Sequence, residues 1–125
     1  MRTMRVRGDT LPSATETTAT AYIVRTGIAP FSETDEQGNI SSGYTWNEIR
    51  LDIAEYQLVR EGKLPAGATW TNPLRRIRLL AQLEATDYIA AKLAEAEGDE
   101  LLQLRQEYAQ TIAQRKAWRT EINSL

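Results

Sequence analysis

The chain has 125 residues, 26% of them charged and 42% hydrophobic, with a formal net charge of −2, a length and balance that predict one soluble domain. It contains neither Cys nor His, which excludes disulfide scaffolds, thiolate zinc sites, thiol nucleophiles and any imidazole base or metal ligand. The longest stretches free of charge, Gln37–Asn47 and Leu64–Leu74, fall far short of the ~20 apolar residues of a spanning helix, and residues 1–12 carry no secretory pattern.

In chain order, residues 1–18 are poor in large apolar side chains and carry Arg2, Arg5 and Arg7 against Asp9 and Glu16. This texture predicts a flexible N-terminal arm. Residues 19–45 predict short strands and a loop. Ala19–Arg25 is β-branched and aromatic around Tyr22, Ile23 and Val24 and is bounded by Gly27, the signature of a strand. Ile28–Ser32 allows a second strand that Pro30 would confine to an edge or break. The polar run Glu33–Asn39, with Gly38, can close a hairpin between Phe31 and Ile40.

Residues 46–71 predict a helix followed by a linker. Thr45-Trp46-Asn47-Glu48 has the spacing of a capping box, and Trp46, Ile49, Ile53 and Tyr56 fall on one helical face. Strict alternation of Ile49, Leu51 and Ile53 equally allows a strand; the cap and the stop signal at Gly62 favour the helix. Lys63–Thr71, with Pro65 and Gly67, is the linker.

Residues 72–125 predict two long helices. Asn72-Pro73 is a helix start, Leu74–Glu97 holds no Gly or Pro, and Gly98 interrupts before Asp99 opens a second helix to about Asn123. Leu101, Leu104, Tyr108, Ile112 and Ile122 form a spaced stripe on that helix, with Trp118 beside its end. The pair reads as a hairpin, with a single helix bent at Gly98 as the other arrangement. Folded as a hairpin, one end collects Arg75, Arg76, Arg78, Arg115, Lys116 and Arg119, and the turn end collects Glu95, Glu97, Asp99 and Glu100. Such a hairpin suits an antiparallel neighbour, or a partner that offers acids to the basic end. The fold class is therefore α+β, mainly α with a small N-terminal β part.

Carboxylates are numerous but unsupported. Glu33, Asp35 and Glu36 sit in a polar loop with nothing to raise a pKa, and Asp35–Asn39 lacks the order of a calcium loop. No glycine-rich phosphate loop occurs. No catalytic residue, metal site or cofactor is expected. Nucleic acid is not the expected partner either: the acidic balance leaves only the N-terminal arginines and the Arg75-Arg76-Arg78 cluster, the basis of the alternative reading as a small DNA-binding regulator.

The stretch Asp87-Tyr88-Ile89, Leu93, Glu100-Leu101, Tyr108, Arg115-Lys116-Ala117-Trp118-Arg119 and Ile122-Asn123 resembles the helical end of small bacteriophage tail-fibre assembly proteins, over about residues 85–123. The resemblance implies a non-enzymatic chaperone or accessory virion subunit that binds the tail-fibre polypeptide. It would act in the host cytoplasm during assembly, and some such proteins stay on the finished tail. The residues expected to meet the partner are Tyr108, Ile112, Trp118, Arg119 and Ile122 on the last helix, with Tyr22, Ile23 and Val24 offered as a strand to a sheet edge. A homo-oligomer is the other association expected, and no membrane contact is.

Overall fold

A computed structural model describes residues 1–125. The chain is α+β: a four-stranded antiparallel sheet and four helices. The strands are β1 (Arg2–Gly8), β2 (Thr15–Thr17), β3 (Ala21–Thr34) and β4 (Ile40–Asp52), and the helices α1 (Ile53–Arg60), α2 (Asn72–Glu95), α3 (Gly98–Glu107) and α4 (Ala109–Ser124). They divide into two compact units, one of residues 1–58 with 65–68, the other of residues 59–64 with 69–125. No helix is long and apolar enough to cross a membrane.

In the first unit the sheet order is β1-β4-β3-β2. Residues 1–18 are thus not a flexible arm: they hold both edge strands. Met4 and Val6 are half-covered and alternate with the exposed Thr3, Arg5 and Arg7, the period of a strand, and Val6 lies opposite Trp46. Gly8 has no side chain where one would strike the Trp46 ring, whose Cη2 is 2.8 Å from an ideal Cβ.

The expected helix from Trp46 is also corrected. Residues 46–52 belong to β4, whose alternation is satisfied by β1 on one side and β3 on the other. The working capping box lies seven residues downstream of the expected one. Asp52 Oδ1 accepts from the Glu55 N–H at 2.8 Å, and Glu55 Oε1 accepts from the Asp52 N–H at 3.0 Å, so that α1 starts at Ile53. Gly62 does stop the helix, at φ +87°.

The segment expected as two short strands is one. β3 runs through a bulge in which Thr26 and Ala29 pair with Asn47 and Thr45, one residue more on β3 than on β4. Gly27, at φ +61°, supplies the left-handed residue that such a bulge needs. The extra residue keeps Phe31 and Glu33 on the face of Tyr22 and Val24, where Arg7 meets both: its guanidinium is 3.7 Å from the Phe31 ring centre and 2.7 Å from Glu33. The core lies at the base of the β3–β4 ladder, where Ala21, Ile23, Val24, Trp46 and Leu51 are buried and Tyr56 stacks on Tyr22 at 4.2 Å between ring centres.

The hairpin closes between Thr34 and Ile40, as the polar run predicts. Asp35 organises the turn, accepting from the Asn39 N–H (2.8 Å), the Asn39 side-chain amide (3.1 Å) and the Gln37 N–H (2.9 Å). These bonds, chiefly those from Asn39, hold its carboxyl below the ordinary aspartate value. A folded-state pKa below the unfolded one favours the turn above the unfolded value, and the effect is lost as pH falls through the folded value. The protection of the Gln37 and Asn39 amides, as the ratio of intrinsic to observed exchange, is therefore expected to fall on acidification below the usual aspartate range, and Asp35→Asn should abolish that dependence. An unchanged acid response in the variant would assign the effect to another group.

In the second unit α2 starts at Asn72 with Thr71 at the cap position and Pro73 in its first turn. Two helices are expected over residues 72–125, and three form. The chain turns at Gly98, φ +60°, and the last helical stretch is divided at Tyr108 (φ −103°, ψ 18°) into α3 and α4, with neither Gly nor Pro to mark the break. Leu74, Ile77, Leu79, Ile89 and Ile122 are buried.

Candidate interaction surface

Ile112, Arg115, Arg119 and Ile122 are spaced by three or four and share one side of α4, and Tyr108 precedes them at the break. Arg115 shows where that side points. Its Nη1 donates to the Leu83 carbonyl (2.8 Å) and to Thr86 Oγ1 (2.5 Å), and its Nη2 donates to Asp87 Oδ1 (3.0 Å), all on α2. Sequence reasoning places Arg115 in a basic cluster at one end of the hairpin; the structure buries it, at 9% exposure. The only signal available was its register with Ile112 and Ile122 on the apolar stripe.

Four of the five expected residues of the last helix therefore face α2. Ile112 and Arg119, with Ile89, Ala90, Leu93 and Arg115, line a groove of about 220 Å³. Its floor is aliphatic, and the exposed Arg119 is free to meet an anionic group. Ile122 is buried, and Tyr108 is half-covered at the helix break. Trp118, also half-covered, lies about 110° round α4 from Ile112 and Arg119 taken together, by helical periodicity, so it is not part of this groove.

Other apolar groups are more open. Leu80 and Tyr88 on α2 and Leu102 on α3 are 43%, 57% and 59% exposed. Lys92 stands between two rings, its Nζ 5.7 Å from the Tyr88 centre and 5.8 Å from that of Tyr108, a spacing within the reach of cation–π attraction. Most notably, α3 buries no residue at all: Leu101 and Leu104 are half-covered and Leu102 is exposed. A ten-residue helix draws little stability from its own hydrogen bonds and depends on covering an apolar side.

The remaining three expected residues lie on β3. Tyr22, Ile23 and Val24 belong to the other unit, and β3 pairs there with β2 on one side and β4 on the other. Ile23 and Val24 are 2% and 7% exposed. An interior strand has no free backbone edge, so this segment is unable to add to a partner's sheet. The free edges belong to β1 and to the short β2.

The arginines of the DNA-binding alternative are divided as well. Arg75 and Arg76 are exposed, whereas Arg78 is half-covered, donates through Nη1 to the Arg60 carbonyl and lies against Gly62, with Nε 3.1 Å from where a Cβ would stand. Arg60 in turn donates to Glu84 at 2.8 Å. Arg75, Arg78, Trp70, Leu79 and Glu121 line a second hollow of about 210 Å³, in which Glu121 offsets the positive charge.

No three acidic side chains converge as a metal site would require, and every buried side-chain N or O atom has a hydrogen-bond partner. Comparison of the chain with protein-family models, with curated proteins and with solved structures found no match.

Proposed function

We propose that this chain is a non-enzymatic assembly subunit, of the kind that serves phage tail fibres, which binds a second polypeptide through its helical unit. The reading rests on α3, a helix with three leucines and no buried residue. Its apolar side is left for a partner to cover. The aliphatic groove of Ile89, Leu93 and Ile112 with Arg119 at its rim, the half-covered Tyr108 and the flanking Trp118 extend the binding surface, with the helices of residues 72–125 acting as a hairpin. A client fibre chain would be met in the host cytoplasm during assembly.

The test is capture on the tagged chain from its native lysate, with identification by mass spectrometry. The expected catch is one large, repetitive, β-rich polypeptide in fixed ratio. Leu102→Asp, at an exposed site, and Trp118→Ala are each expected to weaken capture by about 2 kcal/mol, near thirtyfold. Undiminished capture by both folded variants, or no polypeptide captured, would overturn the proposal.

A further inference from the structure

We propose that the free edge of β1 receives an extended acidic segment of another polypeptide as a fifth strand of the sheet. The surface lies in the first unit and is independent of the helical surface above.

β1 is an edge strand, paired only with β4. Along its seven residues, about 23 Å of chain, the backbone groups that face away from β4 have no ladder partner, the arrangement that strand addition uses. Its two faces differ in chemistry. Met4 and Val6 are half-covered on one, which the exposed Arg2 begins; Thr3, Arg5 and Arg7 are exposed on the other. An added strand would match these with alternate apolar and acidic side chains.

The charge is one-sided. β1 contains no acid. Arg5 is held by neutral groups, Nη1 on Asn47 Oδ1 at 3.2 Å and Nη2 on Thr45 Oγ1 at 2.8 Å, so its guanidinium is oriented while its charge stays uncompensated. Arg2 stands directly across the ladder from Arg50, both exposed, and like charges in that register repel. Of the acids near this strand, Glu33 is taken by Arg7 and Glu55 by the Met1 ammonium. Within the same face as Arg2 and Arg50, Glu48 is committed to Arg25, and Asp52 Oδ1 caps α1. The strand thus carries one oriented and uncompensated cation, Arg5, and a like-charged pair, Arg2 with Arg50, that an incoming anion would relieve. A second copy is a poor occupant, because pairing β1 with β1 would bring arginine ladders together.

Edge arginines also serve simply to keep edges apart, so the test must separate strand addition from counter-charge. The probe is a fluorescein-labelled peptide of alternating glutamate and valine, with two control peptides: one with lysine for glutamate, and one with proline for valine, which keeps the charge and removes alternate backbone donors. Anisotropy at low salt is expected to show binding of the first peptide only, weakening as salt rises. The Arg2→Gln/Arg5→Gln double variant should bind about tenfold more weakly. Amide exchange should slow over residues 3–7 when the peptide is added.

Three results would overturn the proposal: no binding of the acidic peptide, equal binding of the proline peptide, or protection that appears elsewhere than on β1. Slowed β1 exchange in the absence of peptide, rising with protein concentration, would assign the edge to a second copy instead. Should Arg2→Gln/Arg5→Gln perturb the sheet, the proline-peptide comparison on the unaltered chain decides alone.

Discussion

Replacing Glu48 by alanine is expected to lower the stability of the sheet unit by about 3 kcal/mol. Glu48 is 6% exposed, and its Oε1 accepts from Arg25 Nε at 3.1 Å and from the Trp46 indole N–H at 3.3 Å. The Arg25 side chain is itself only 11% exposed. Its pKa is raised, first by the hydrogen bond to Glu16, with burial opposing and Glu48 assisting. Truncation would leave two buried donors short of an acceptor, and removing one partner of a buried charge pair costs far more than an exposed pair contributes. The loss falls at the lower end of the usual range because Arg25 keeps Glu16 at 2.6 Å and the Ser13 carbonyl at 3.1 Å. Glu48→Gln retains an acceptor and should cost about half as much. In Glu48→Leu/Arg25→Leu, with the charges removed together, the double variant should be more stable than the sum of its single changes. Urea unfolding of the parent chain and of these variants, both single leucine changes included, with amide exchange at residues 23–25 and 46–50 to locate the change, checks this. A loss below 1 kcal/mol for Glu48→Ala would mean that Glu16 alone satisfies Arg25.

Those two side chains also illustrate what local sequence reveals. Glu48 and Thr45 have the spacing of a helix cap, yet in a strand an odd offset places them on opposite faces. There Thr45 holds Arg5 and Glu48 holds Arg25. Whether such a segment coils or extends is decided by strands that pair with it from a distance: Arg5 and Asn47 are 42 residues apart, beyond any periodicity count. For the same reason the N-terminal arginines conceal a strand. What is legible is what local chemistry decides: the α2 start at Asn72-Pro73, the turn at Asp35 and Gly38, the Gly62 stop, the interruption at Gly98. The α4 stripe of Tyr108, Ile112 and Ile122 is legible too, but its direction is not. That Arg115 turns inward with it, and that Tyr22–Val24 lies inside the sheet while β1 and β2 hold the edges, follows from tertiary pairing alone.

Arg115→Ala is expected to destabilise the helical unit by about 2–3 kcal/mol. The ion pair with Asp87 is the smaller part, since the Asp87 side chain is 65% exposed and water screens it; Asp87→Asn should cost well under 1 kcal/mol. The larger part comes from the two Nη1 bonds, to the Leu83 carbonyl and Thr86 Oγ1, made where the guanidinium is sheltered and its stem packs beside the Ile112 groove. Arg115→Lys keeps the charge and most of the stem, but a single ammonium has no planar fork with which to span Leu83, Thr86 and Asp87, so it should recover only part of the loss. Arg115→Leu separates packing from hydrogen bonding by keeping apolar contact and removing every donor. Amide exchange over residues 83–89 of α2 and 112–122 of α4 is the measurement, because it reports on the two helices that Arg115 joins. If the leucine variant protects those amides as well as arginine does, the side chain acts through its stem; if the lysine variant does and the leucine variant does not, charge rather than the fork holds α4 to α2.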